Sequence, residues 1–232
     1  MTTMRAATSR KPGSAKRPVA RGARTKVELS HDTIREAALA LVDEDGLDEF
    51  STRKLGRALG CEAMAIYWYY PSKEALLDAV VDRLVAPIGQ VASAPSSDWV
   101  AVLRGVAHAY RRIAHDHPRA FPLLATRRFA SPGSFAFLEQ LFELARRQRI
   151  SDQTVARFYR IVSSYCSGFA LNELAEPRGT KHPAAAALHH QFGRVAAVFA
   201  WLEPQHLDET FSVGLELLLD SLARTARAER RT

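Results

Sequence analysis

The stretch FSTRKLGRALGCEAMAIYWYYPSKEALL, residues 50–77, collects side chains with chemistry to offer. Tyr67, Trp68, Tyr69 and Tyr70 are consecutive and closed by Pro71, and the cations Arg53, Lys54, Arg57 and Lys73 flank them. A phenol on a helix surface donates a hydrogen bond to a phosphate, and an indole lies against a thymine methyl. Ile66 and Tyr70, four apart, share one helix face and are expected to turn inward, towards Leu41 and Leu55. Their neighbours then face outward. The pattern is a helix held from behind by two residues and presenting aromatic groups to nucleic acid in front. The competing arrangement packs Tyr67 and Tyr69 back on the next helix.

Other reactive residues carry less. His115-Asp116-His117 flanks a helix end before Pro118, while His182 and His206 fall in loops and His189-His190 is an isolated pair, so no metal site is expected. No GxSxG, phosphate-binding loop, HExxH or dinucleotide fingerprint occurs. No catalytic residue and no cofactor are therefore assigned, and the chain is not expected to be an enzyme. Cys61 precedes the aromatic helix, but a redox role needs a lowered thiol pKa, which the adjacent Glu62 opposes. Cys61 reads as a small packing residue at a turn.

The elements that must position these groups read as helices throughout. Ile34, Ala37, Ala38, Leu41 and Val42 recur at helical spacing between a Ser30 cap and a Gly46 stop. Ser51 caps a short helix that ends at Gly60, and a second short helix covers about 61–69. The next runs from Lys73 to about Ala86. Residues 87–97, PIGQVASAPSS, read as a connector. Beyond it the periodicity predicts helices over about 98–116, 119–127, 132–148, 152–175, 184–201 and 207–227. No alternating strand pattern persists, so the fold class is all-α. Two short helices joined by ALGCE form a helix-turn-helix unit, whose second helix enters the major groove of DNA.

Charge is distributed unevenly. The chain's formal net charge is +7, yet residues 1–27 hold eight Lys or Arg and no acid, leaving −1 over residues 28–232. That segment has the composition of a disordered arm, either a polycation for phosphates or a minor groove, or a solubilising extension. Residues 29–86 hold six Lys or Arg against eleven Asp or Glu. DNA binding must then rest on the local placement of Arg53, Lys54, Arg57 and Lys73. No stretch approaches the roughly 18 apolar residues of a membrane span, and no apolar leader opens the chain. With Cys61 and Cys166 far apart, a reduced, cytoplasmic setting is expected.

Residues 30–85 resemble the DNA-binding domain of the tetracycline-repressor (TetR) family of bacterial transcriptional regulators. The likeness is carried by TRKL (52–55), LG (59–60), Glu62, YW (67–68), Lys73 and ALLDA (75–79). It implies three segments: an arm over 1–28, the DNA-binding domain over 29–86 with its motif at about 51–70, and an effector-binding and dimerisation domain over 98–227. It implies that Thr52 touches a phosphate, that Arg53 reads a guanine edge, and that Ala63, Met64, Ala65 and Trp68 face bases. Tyr67, Tyr69 and Lys73 would clamp phosphates. Arg53 pairing with Glu49 or Glu62 is the competing reading. The sequence departs from the family where Ala63, Met64 and Ala65 are small or apolar, which reduces hydrogen-bond readout there.

The resemblance further implies a homodimer on a palindromic DNA operator, and a small-molecule effector. The small residues Ser163, Ser167 and Ala170 and the apolar Phe211, Leu215, Leu218 and Leu222 are the expected dimer interface. Val106, Tyr110, Phe121, Leu124, Phe135, Leu138, Phe142, Tyr165, Phe169, Asn172 and Trp201 are the expected pocket. Val106 stands where tetracycline-binding members carry an asparagine, and no counterpart of their metal-binding histidine is identified. A hydrophobic or aromatic effector is therefore expected in place of a magnesium–tetracycline complex. The expected function is a repressor released from its operator by the effector, and the alternative is a regulator that needs its ligand as co-repressor or activator.

Overall fold

The computed structural model describes residues 28–92, 98–127, 132–175, 192–199 and 201–229, all helices and connecting turns. The basic segment 1–27, His182, His189, His190 and most of the expected helix 184–201 lie outside these residues. The helices are α1 (His31–Asp45), α2 (Thr52–Leu59), α3 (Ala63–Tyr67), α4 (Lys73–Ala92), α5 (Trp99–Asp116), α6 (Phe121–Thr126), α7 (Pro132–Arg147), α8 (Asp152–Ala175), α9 (Gly193–Phe199) and α10 (Leu207–Glu229). No helix among the described residues is long and apolar enough to cross a membrane.

The first helices start and stop on their caps. Ser30 accepts from the Thr33 N–H while the Thr33 hydroxyl accepts from the Ser30 N–H, a reciprocal box at the head of α1. Ser51 opens α2 by accepting from the Lys54 N–H at 3.2 Å, and Gly60 closes it at φ +69°, a conformation that glycine adopts without strain.

The expected connector 87–97 is corrected in its first half. α4 continues to Ala92 with Pro87 inside it. A proline within a helix costs roughly 3 kcal/mol. Here the apolar register Val80, Val81, Leu84, Ile88 continues through it, all four buried, and tertiary burial outweighs the local penalty.

The buried residues form two clusters. One joins α1 through α4 to the end of α5 and to α6, including Ile34, Leu55, Ile66, Leu76, Ile113 and Phe121. The other joins α5, α7, α8 and α10, including Trp99, Leu141, Val162, Phe211 and Leu215. Val106 and Tyr110 on α5 pack against both. Polar contacts reinforce the first cluster where the α5–α6 region meets α1 and α4. His117 Nδ1 lies 2.6 Å from Asp43 Oδ2, Arg119 donates to the Glu44 carbonyl, and Arg127 Nη1 donates to Asp78 Oδ1 at 2.8 Å.

Candidate functional site

The α2–turn–α3 unit is built by a close backbone approach. A Cβ on Gly56 would lie 2.7 Å from the Cys61 carbonyl oxygen, and the Cys61 N–H donates to the Gly56 carbonyl at 2.9 Å. Any larger residue at 56 would push the turn off α2. Cys61 is half-buried in this turn. The five-residue α3 is far too short to be stable alone, so its position is set by packing. Ile66 is buried beneath it. The Tyr70 hydroxyl donates to the His31 carbonyl at 2.9 Å, its ring edge-on to the His31 imidazole at 5.0 Å. Burial pushes the Tyr70 phenol up, keeping it a neutral donor.

The outer side of the unit is open. Trp68 is 89% exposed, Met64 69% and Tyr67 37%, an unusual concentration of apolar surface. Ala63 and Ala65 are half-buried between them. The Thr52 hydroxyl stands 3.3 Å from the Tyr67 hydroxyl, so α2 and α3 place two hydroxyls side by side. Arg53 and Arg57 are exposed, and neither has an ion-pair partner among the described residues. Glu49 pairs instead with Lys54 at 3.1 Å, and with Asp45 at 3.4 Å it raises the Lys54 pKa, which removes Lys54 from the free cations.

Two expected phosphate clamps are differently engaged. The Tyr69 hydroxyl donates to the Leu29 carbonyl at 2.9 Å and its ring meets His31 edge-on at 5.3 Å. Its single O–H proton is thus engaged within the fold, where Tyr69 ties the end of α3 to the start of α1. Lys73 donates to the Phe50 carbonyl at 3.1 Å and lies 5.5 Å from the Phe50 ring centre. Two of its three N–H donors remain for another acceptor.

A second candidate site is a cavity on the seam between the two buried clusters. It is lined by Val85 and Ile88 of α4, Leu103, Val106, Ala107 and Tyr110 of α5, Leu124 of α6, Ser134, Phe137, Leu138 and Leu141 of α7, and Tyr159, Val162, Ser163 and Cys166 of α8. Its free space is about 80 Å³. No lining residue is charged. Burial pushes the Cys166 thiol up to about 12, so it stays protonated and inert at neutral pH.

Of the residues expected to line a pocket, Val106, Tyr110, Leu124 and Leu138 do so. The others lie outside this cavity. Phe121 is core beneath Tyr110, and Phe142 packs edge-on against Tyr159. Tyr165 stacks on Phe211 and donates to its carbonyl at 2.9 Å, with Phe169 against the same ring. Phe135 and Asn172 face solvent, and Trp201 is 70% exposed beside His206.

The expected dimer residues also turn inward. Phe211, Leu215, Leu222 and Ala170 are buried in the protomer, and Leu218 packs against the same core. Ser167 is buried and shares a 2.9 Å hydrogen bond with Tyr110, while Ser163 lines the cavity. The outward stripe on α8 is Ile161, Ser164, Gly168 and Leu171, and on α10 Val213 and Leu217.

One cluster had no sequence signal. Arg111 is buried, forks onto Glu173 at 2.8 and 2.7 Å, meets Asp208 at 2.7 Å, and lies over the Phe169 and Phe211 rings. His115 Nε2 adds a contact to Glu173 at 3.0 Å. Burial pushes Glu173 up, but Arg111 and His115 outweigh it and hold the carboxyl below its ordinary range. Arg111 sits in a row of polar and apolar letters like any surface arginine. No group of three or more His, Cys, Asp or Glu among the described residues could hold a metal ion.

Comparison with known proteins agrees with this geometry. Residues 34–80 match the family model for bacterial regulatory proteins of the tetR family, and residues 92–226 match the tetracyclin repressor-like C-terminal domain. The chain is 28% identical over 149 residues to the HTH-type transcriptional repressor DrrR1 of Streptomyces coeruleorubidus, covering 64% of this chain and 55% of that protein. The match thus spans little more than half the length of that relative. It is 26% identical over 205 residues to the class G tetracycline repressor of Vibrio anguillarum, covering 87% and 97%. The crystal structure of a possible TetR family transcriptional regulator from Streptomyces coelicolor superposes with TM-score 0.70 at 26% identity, over 84% of this chain and 99% of that one.

Proposed function

Given that the chain belongs to the TetR family of bacterial regulatory proteins, we propose that it is a homodimeric transcriptional repressor, released from a palindromic operator by a small hydrophobic effector. The observation that carries this reading is the shared helix. α4 begins at Lys73 beside the reading face and carries Val85 and Ile88 in the wall of an uncharged cavity.

The cavity's size makes the coupling mechanical. About 80 Å³ is well short of the ~300 Å³ or more that encloses a drug-sized ligand. An effector enters only by displacing a wall, and α4 and α6 are two of those walls. Both belong to the buried cluster that holds α1 to α3, so the displacement reaches the reading face through continuous packing. The effector shifts the population away from the DNA-competent arrangement in proportion to its differential affinity for the two. With no charge to pair, the cavity selects neutral ligands, and Tyr110, Tyr159 and Ser163 are its polar groups of first resort.

Dimerisation would use the outward stripes. Ile161, Ser164, Gly168 and Leu171 on α8 and Val213 and Leu217 on α10 are exposed, and a two-fold mate would cover them. Two reading heads would then sit about one DNA turn, roughly 34 Å, apart. Thr52, Tyr67 and Lys73 hold phosphates, Arg53 reads a guanine, and Met64 and Trp68 face bases between Ala63 and Ala65. The domain limits proposed are 29–86 for DNA and 98–227 for effector and dimer, with α4 bridging them.

The test is selection of bound duplexes from a random pool at physiological salt. Enrichment of a palindrome with half-sites one turn apart is the expected result, and loss of that complex on adding neutral aromatic compounds identifies effectors. A pool with no enriched sequence would overturn the reading.

A further inference from the structure

The reading face is short of hydrogen-bonding groups. α3 has Met64 exposed between the half-buried Ala63 and Ala65, and Trp68 continues the helix at φ −68°, ψ −28°. Met64 and Trp68 are four apart, on one face, and are the two most exposed large apolar residues of the unit. Tyr67 has its hydroxyl beside that of Thr52, at the edge facing α2. A thioether donates nothing, and an indole donates one N–H. A helix with these residues cannot separate base pairs by the bidentate amide or carboxylate contacts of major-groove readout.

What remains is the one apolar feature of the major groove, the thymine C5-methyl. From the Met64–Trp68 pair we infer that α3 reads its operator by thymine methyls, with Met64 and Trp68 as the specificity-determining residues. A thymine methyl seated between the two side chains would lose contact with water. Alanines at 63 and 65 leave the backbone of α3 free to approach the base edges. Sequence information then divides between the two helices: Arg53 on α2 specifies guanine and α3 specifies methyl positions.

This rests on the major-groove reading proposed above, and the experiment separates the two. The duplex selected from the random pool is resynthesised with each thymine of both half-sites replaced, one symmetric pair at a time, by deoxyuridine. Deoxyuridine pairs as thymine does and removes only the methyl. Burial of one methyl corresponds to about a fourfold affinity change, and about fifteenfold for a symmetric pair. One to three thymine positions per half-site are expected to show such a loss in the wild type. In Met64→Ala or Trp68→Ala the same duplexes should bind equally with thymine or uracil. Both side chains are exposed, so both variants retain the fold.

Uniform tolerance of uracil by the wild type would overturn methyl readout while leaving the regulator reading intact. Uracil sensitivity persisting undiminished in both variants would overturn the assignment to Met64 and Trp68. If the pool yields no enriched sequence, the regulator reading itself fails, and methyl readout with it.

Discussion

In the reading head Trp68 and Tyr67 stand in solvent around a five-residue helix, whereas in the larger part of the molecule Tyr165, Phe169 and Phe211 pack ring against ring. The same residue types serve opposite ends. In the head, Ile66, Tyr69 and Tyr70 face the fold and hold α3, which leaves Met64, Tyr67 and Trp68 outward for a partner. In the body, α8 and α10 are 24 and 23 residues long and bury their aromatic side around Arg111. An aromatic residue signals function where the element is too short to need it for packing.

That contrast can be broken first at the proposed interface. Leu217 is 67% exposed on α10, away from the protomer core. Leu217→Glu is expected to leave the helix content and the protomer fold intact while giving monomers in sedimentation. Losing the second head should lower operator affinity by about 10²–10⁴-fold. A variant that remained dimeric would place the interface elsewhere.

Arg111→Ala attacks the body from within. It leaves Glu173 with His115 as its remaining partner, and removing one partner of a buried pair costs up to roughly 3–5 kcal/mol. Chemical denaturation measures this. The pair also predicts a pH dependence. Glu173 is held below its ordinary range, so its stabilising contribution is complete above about pH 5, beyond the unfolded carboxyl value, and is lost as pH falls through the lowered folded value. In Arg111→Ala that acid-side loss should shrink.

Gly56→Ala tests the head in the same way. The new Cβ would face the Cys61 carbonyl at 2.7 Å, a backbone atom that cannot swing aside. A destabilisation of about 1–3 kcal/mol is expected, together with loss of operator binding as α3 shifts. Gel shift and thermal melting on the same sample separate the two effects.

The smallest effects discriminate within the aromatic run. Arg53→Ala should relax selectivity at one base pair, costing roughly 1–3 kcal/mol of binding. Tyr69→Phe deletes the hydrogen bond to Leu29 and should lower stability by about 1 kcal/mol without changing the salt dependence of operator affinity. A reduced salt slope in Tyr69→Phe would instead restore Tyr69 to the phosphate contacts.

Local signals in the sequence were sufficient for most helix limits and for the helix-turn-helix. Ser30, Gly46, Ser51 and Gly60 act on their own neighbours, so the caps of α1 and α2 are legible without any tertiary knowledge. The inward pair Ile66 and Tyr70 is legible too, because a short helix has one packed face. Tertiary structure alone decided the rest. Tyr69 finds its acceptor 40 positions away, at Leu29, and no local pattern announces such a partner. α4 continues through Pro87 because burial of Ile88 outweighs a local penalty. On α8 and α10 the apolar residues serve a protomer core on one side and leave a second apolar stripe on the other. Periodicity gives both stripes and does not say which is which, so Phe211 and Leu215 went inward where an interface was expected and Val213 and Leu217 stayed outside. Arg111 shows the same limit for charge, since only the packing of α5 against α8 and α10 turns an ordinary arginine into the buried centre of an ion-pair cluster.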